Sequence, residues 1–207
     1  MISSVDFSTI VIIFFSLVVS ITLHEAMHAF TGHWLGDDTA YREGRISLNP
    51  FRHVDPFATI LLPMITLVLF HIPLLAAKPV PFNPARVKFD EYGAALVGLS
   101  GPLTNLLLAL STAGIINLVQ NSISYGLLKV LTIFLVVNVG LFVFNMVPIP
   151  PLDGSRLVYA FAPQSVQNFM ASLEGLGIVI IFALILLIPA FGDLITQIDL
   201  SIIDLLL

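Results

Sequence analysis

From Phe7 to Ile21 the chain carries no ionisable side chain, and its only polar side chains are the hydroxyls of Ser8, Thr9, Ser16 and Ser20. Just beyond comes His24-Glu25-Ala26-Met27-His28. Ionisable groups at the end of such a run are costly in a bilayer and are read as functional. On a helix, residues four apart share a face. His24 and His28 can then grip one Zn²⁺ through two imidazole nitrogens. Glu25 projects close to the same ion and can take a proton from its water, which is the mechanical content of an H-E-x-x-H pattern.

Composition agrees with a membrane setting. The 207 residues are 57% hydrophobic and only 10% charged, against about 25% charged in soluble domains. The expected fold class is an all-α polytopic membrane protein, with about four full transmembrane helices plus a re-entrant or hairpin hydrophobic segment. The net charge of −5 rests on few charges and gives no basis for nucleic-acid binding. Cysteine is absent, so disulfides and thiolate ligands are excluded, and a metal must be held by His, carboxylate and water. The first run has no positive flank and no small-residue cleavage site, so it reads as a span that stays. The whole of 1–207 reads as one membrane-embedded domain, with a catalytic core over about 7–162 and a final span over about 173–191.

The first helix is predicted from Phe7 to Leu35, stopped by Gly36-Asp37-Asp38. A polar loop over 37–56 holds Arg42, Arg45 and Arg52. Residues 57–77 are apolar but broken by Pro63 and Pro73, and Lys78-Pro79-Val80-Pro81-Phe82-Asn83-Pro84 is a proline-stiffened extended segment. Further spans are expected over Tyr92–Val119, where Gly98, Gly101 and Asn105 allow close helix approach, and over Tyr125–Met146. A short helix to Phe161 follows, then the span Leu173–Phe191. The tail from Leu194 is expected on the surface.

Asp153 follows a Pro-rich break at the end of a span and is the best candidate for a third ligand; an interfacial turn at Asp153-Gly154 is the alternative that local sequence favours. With His24, His28 and one water, Asp153 makes the open tetrahedral site of catalytic zinc. The depth of the two motifs matches if the first helix runs inward and residues 57–77 dip in and return. Arg42, Arg45, Arg52, Lys78, Arg86, Lys88 and Arg156 then lie inside and Lys129 alone outside, a strong positive-inside bias. This places the protein in the cell membrane with its site toward the cytoplasmic side.

HEAMH in an early span and Asn145-x-x-Pro148-x-Pro150-Pro151-Leu152-Asp153-Gly154 late in the chain resemble the site-2 protease family of intramembrane zinc metalloproteases. Gly44-Arg45-Ile46-Ser47-Leu48-Asn49-Pro50, the Lys78–Pro84 segment and Gly101-Pro102-Leu103-Thr104-Asn105 are similar too. The likeness covers about residues 20–156 and is to the compact prokaryotic branch without PDZ or CBS domains. It departs in having no extra span ahead of the HEAMH helix. The resemblance implies His24, His28 and Asp153 as ligands of one Zn²⁺, Glu25 as general base, and Asn145 as a hydrogen-bonding partner of the substrate backbone. It also implies a re-entrant β-like segment near 57–84 and single-span membrane proteins as substrates.

The reading that follows is hydrolysis of peptide bonds within or near transmembrane segments. The Lys78–Pro84 segment could offer a strand edge to an unwound substrate, with a rigid interfacial loop as the equal alternative. Asn105 and Asn145 are candidates for orienting the substrate or an oxyanion; for Asn105 a hydrogen bond across helices is the alternative. Two rival functions remain from the residues alone. One is a divalent metal-ion carrier using the same His/Asp site. The other is a relative that binds membrane segments without cutting. His33, His53 and His71 read as interface or loop residues.

Overall fold

Three long helices carry the architecture: α1 (Phe7–Trp34), α3 (Asp90–Val119) and α4 (Tyr125–Asn145). At 1.5 Å per residue, even the shortest spans about 30 Å, enough to cross a bilayer core. The computed structural model describes residues 6–53 and 80–207. The expected dip over 57–77, His71 and Lys78 fall outside the described residues. Among the described residues there is no strand, and the protein is an all-α polytopic membrane protein.

In lipid the usual amphipathic logic is inverted, since the outside must be apolar and polar groups must find partners within. α1 follows this rule. Ser16, Ser20, His24, His28 and Gly32 recur every four residues and are buried, whereas Phe14, Phe15, Val19, Phe30 and Trp34 are exposed. The face that α3 buries is lined by small residues, among them Ala94, Gly98, Gly101, Ala109 and Ala113. Small residues let helix backbones approach closely, and dispersion then holds them together. Below the polar site, Ala109, Ala113 and Ile116 of α3 pack on Leu135, Val139 and Val143 of α4.

Both ends of the bundle are tied. Asp6 caps α1 by accepting from the Thr9 amide, and its carboxylate takes Lys129 Nζ at 3.0 and 3.1 Å. These bonds, with Thr9 first and Lys129 next, hold the Asp6 carboxyl well below the usual carboxylate range. They also place the starts of α1 and α4 at one end of the bundle. At the other end α1 stops as expected at Gly36, whose φ of +110° suits glycine. The Gly36 amide donates to His33 and the Asp37 amide to Gly32, the paired bonds of a Schellman stop. The Lys88 amide donates to Leu35 O at 2.9 Å, so α3 starts beside the end of α1 and runs antiparallel to it.

Beyond the short helix α2 (Thr39–Arg42), the smaller helices are α5 (Gly154–Phe161), α6 (Gln164–Leu173), α7 (Gly177–Leu187) and α8 (Pro189–Leu206). Here the structure departs from the sequence reading. The expected last span is broken: Gln164–Leu176 and Val179–Leu187 meet at 81°. Gly175 and Gly177 sit at the bend, and Pro189, which cannot continue a helix, ends α7 at Leu187. α7 is about 16 Å long, half a hydrocarbon core. Among the described residues there are thus three helices long and apolar enough to span a membrane, or four when the bent pair counts as one span. The tail, expected on the surface from Leu194, is helical and has no fully buried residue. α8 packs Ile195, Ile202, Ile203 and Leu206 against the α3–α4 core.

Candidate metal centre

His24 and His28 lie in the second half of α1, with His28 about 9 Å from the polar end at Trp34. The third candidate follows the end of α4, which runs in the same direction as α1. α4 ends at Asn145, and a tight turn through Pro148, Pro150 and Pro151 delivers Asp153 to the start of α5. Gly154 makes the turn possible. A Cβ there would meet Met146 O at 2.3 Å, closer than backbone can yield.

The ligand atoms converge. Asp153 Oδ2 lies 3.1 Å from His24 Nε2 and 3.3 Å from His28 Nε2, and the two Nε2 atoms are 3.0 Å apart. A tetrahedral ion with bonds of about 2.0–2.1 Å separates its ligands by about 3.3 Å. The triangle fits such an ion with adjustments of a few tenths of an ångström. Among the described residues, this group could hold one metal ion. His24 and His28 are buried and Asp153 half-buried. Two imidazoles and a carboxylate are ordinary ligands for such an ion.

Each imidazole is also held from behind. His28 Nδ1 donates to Val97 O at 2.7 Å, and His24 Nδ1 donates to Asn105 Oδ1 at 2.6 Å. With Nδ1 carrying the proton, the lone pair is at Nε2, facing the triangle. α3 comes close enough to supply both bonds because Gly101 faces the rings. A Cβ there would sit 2.4 Å from His28 Nε2 and 2.5 Å from His24 Nε2.

Glu25 is buried beside the ligands in sequence, and its Oε2 accepts from the Val80 amide at 3.2 Å. The described part of the proline-rich segment is pinned a second time where the Asn83 amide donates to Asp37 at 2.7 Å. Burial would raise the Asp37 carboxyl, but the bonds from Thr39 and Asn83 and the nearby Arg86 lower it. Asn145 is half-buried, and its Nδ2 donates to Leu141 O one turn back. Asn105 has no exposed surface. Its amide is committed behind His24, so the structure places it with the ligand's support and not on a surface that a substrate reaches. His33 pairs with Asp38 and stacks on Tyr41, and His53 bonds Ser47 O, so both join loop structure.

Comparison with known proteins bears on this geometry. Residues 111–188 match Peptidase family M50, a stretch that holds Asp153 but not HEAMH. The protein YwhC of Bacillus subtilis, named as a candidate zinc metalloprotease, is 35% identical over 180 residues, 82% of this chain and 77% of its own. The chain belongs to peptidase family M50. Two Rip2 proteins, also named as candidate zinc metalloproteases, extend the M50 likeness. The one from Mycobacterium tuberculosis is 28% identical over 82% of this chain, and the one from Mycolicibacterium smegmatis 27% over 84%. The chain spans 64% and 66% of their lengths. No solved structure matches the chain.

Three contributions to this M50 site were not singled out from sequence: the Val97 carbonyl, the Val80 amide and Asn138, which bonds Asn105. The first two are backbone groups with no side-chain signature. Asn138 had one, as the only amide side chain in a run from Val130 to Phe144 whose one other polar side chain is Thr132.

Proposed function

We propose that the protein is an intramembrane zinc metalloprotease, a single membrane-embedded domain that cuts single-span membrane proteins within or near their transmembrane segments. The observation that carries this reading is the triangle of His24 Nε2, His28 Nε2 and Asp153 Oδ2 with edges of 3.0–3.3 Å. It lies within the helical bundle, below the polar end of α1. Zinc is the favoured ion because two imidazoles and one carboxylate leave a fourth position open, the arrangement of catalytic zinc. The names of the relatives agree with it.

When bound, the ion supplies the Lewis acidity that lowers the pKa of water toward ~7 and polarises the scissile carbonyl. The rest falls to the chain's own groups. His24, His28 and Asp153 hold the ion. Glu25 takes the proton from the attacking water and hands it to the leaving amine. The Val80 amide, 3.2 Å from Glu25 Oε2, orients that carboxylate. A helical substrate hides its carbonyls in hydrogen bonds and must unwind first, and the extended segment around Val80–Asn83 is the nearest partner for the freed backbone. Asn145, near the turn that delivers Asp153, would release its bond to Leu141 O to hold that backbone.

The site is assigned to the cytoplasmic side of the cell membrane. Arg42, Arg45, Arg52, Arg86, Lys88 and Arg156 all belong to segments at the end of the bundle nearest the site, while Lys129 pairs with Asp6 at the other, which matches a positive-inside arrangement.

The deciding experiment reconstitutes the full chain with a single-span substrate and compares it with Glu25→Gln. Cleavage should fall by several orders of magnitude while one zinc per chain stays bound. Cleavage at the wild-type rate would remove Glu25 as base. Absence of cleavage by the zinc-loaded wild type against a panel of substrates would count against the protease reading itself.

A further inference from the structure

His24 is not held by Asn105 alone. Asn105 Nδ2 donates to Asn138 Oδ1 at 3.0 Å, and Asn138 Nδ2 donates to Phe134 O at 2.8 Å. Neither asparagine has any exposed surface. We propose that Asn138, on α4, is a positioning residue for the metal centre. It fixes, through Asn105, which nitrogen of His24 carries the proton and which faces the ion.

The argument is one of direction. An amide side chain turned by 180° swaps donor for acceptor, and only its surroundings decide between the two. The Phe134 carbonyl can only accept. It therefore requires Asn138 to present Nδ2 to it and Oδ1 to Asn105. That acceptor requires Asn105 to turn its own Nδ2 toward α4, which is also the end facing a second carbonyl, Ser20 O, at 3.5 Å. Asn105 is left with Oδ1 facing His24, and an acceptor there requires Nδ1–H on the ring. The lone pair is then at Nε2, the atom 3.0–3.1 Å from the other two ligands. A backbone carbonyl of one span thus sets the polarity of a metal ligand on another, through two side chains buried where no water competes. His28 needs no such chain, because Val97 O takes its Nδ1–H directly. Outer partners of this kind typically alter metal affinity 10–100-fold when removed.

The inference rests on the metal-binding half of the proposed function and is independent of proteolysis. The test is a zinc competition titration of the purified full chain, with wild type, Asn138→Leu, Asn105→Leu and the double variant. Wild type must bind zinc; if it does not, the metal centre fails and the relay with it. Given wild-type binding, Asn138→Leu should weaken zinc about tenfold and Asn105→Leu between about 10- and 100-fold. In the Asn105→Leu background, Asn138→Leu should add nothing further. Unchanged affinity in Asn138→Leu overturns the relay. So does full additivity, which would mean that Asn138 only pins α4 to α3. Should Asn138→Leu fail to fold, the wild type still decides. In zinc-loaded protein the His24 ring Nδ1 proton should be protected from exchange with water, and exchange as fast as in free imidazole overturns the proposal.

Discussion

At the scale of single residues, the site depends as much on an absent atom as on the ligands. Gly101 brings α3 against both imidazoles, and a methyl there would fall 2.4–2.7 Å from His28 Nε2 and from Nε2 and Cδ2 of His24. Alanine is otherwise the better helix former, by about 1 kcal/mol. Gly101→Ala therefore sets two effects against each other. Helix content should hold, but the clash outweighs the propensity gain, so the Tm of the metal-free protein should fall, and zinc affinity should fall by about 100-fold, the upper end of what disturbing a ligand's support costs. A competition titration beside a circular dichroism melt reads both. If the variant binds zinc normally, α1 has room to move away from α3, and the packing described here is not what fixes the rings.

At the scale of elements, the helices that follow one rule throughout were legible and those that mix rules were not. α1, α3 and α4 each present a long apolar stretch with plain stops, and their predicted limits differ from the observed ones by two residues at most. Asp153 was legible for the same reason: a proline-rich break at a span's end marks where the chain turns, and matching depth then brings it to the histidines. The 81° bend was not legible, because the rise in hydropathy from α6 to α7 marks where an apolar stretch begins but not the angle between the two axes. What fixes the bend is tertiary: a Cβ at Gly177 would lie 2.2 Å from Pro150 O, and Glu174 pairs with Arg156 at 3.1 Å, so α7 starts directly against the ligand-bearing turn. α8 mixes rules too, with acids spaced among its leucines and isoleucines. Asp199 lies on the face toward Gly140, and its Oδ1 is buried without a hydrogen-bond partner among the described residues. An unsatisfied buried oxygen costs about 1–3 kcal/mol. Replacing it by Asp199→Leu, among Ile195, Ile202 and Ile203, should raise Tm measurably at pH 7. A lower Tm would show that the carboxylate has a stabilising partner.

At the scale of the whole molecule, the metal centre is where segments far apart in sequence meet: His24 and His28 from α1, and Asp153 from the far side of α4, 129 residues after His24. Unfolding separates them even if each helix survives in detergent, since no single helix carries all three ligands. An ion held by all three therefore binds the assembled bundle and not its parts. Such binding stabilises the assembled state by RT ln(1 + [Zn]/Kd), about 2.7 kcal/mol at a free zinc concentration of 100 Kd. For a chain of roughly this size, each kcal/mol moves Tm by about 2–4 °C, so zinc at that level should raise Tm by about 5–10 °C. A chelator should reverse the shift. Removing the carboxylate tests whether the effect comes from the three-ligand centre. Asp153→Asn keeps the size of the side chain but loses the anion, and its melting temperature should respond little to zinc or chelator. Equal shifts in wild type and variant would mean that the ion acts elsewhere on the protein. No shift in either would mean that the 3 Å triangle does not hold zinc.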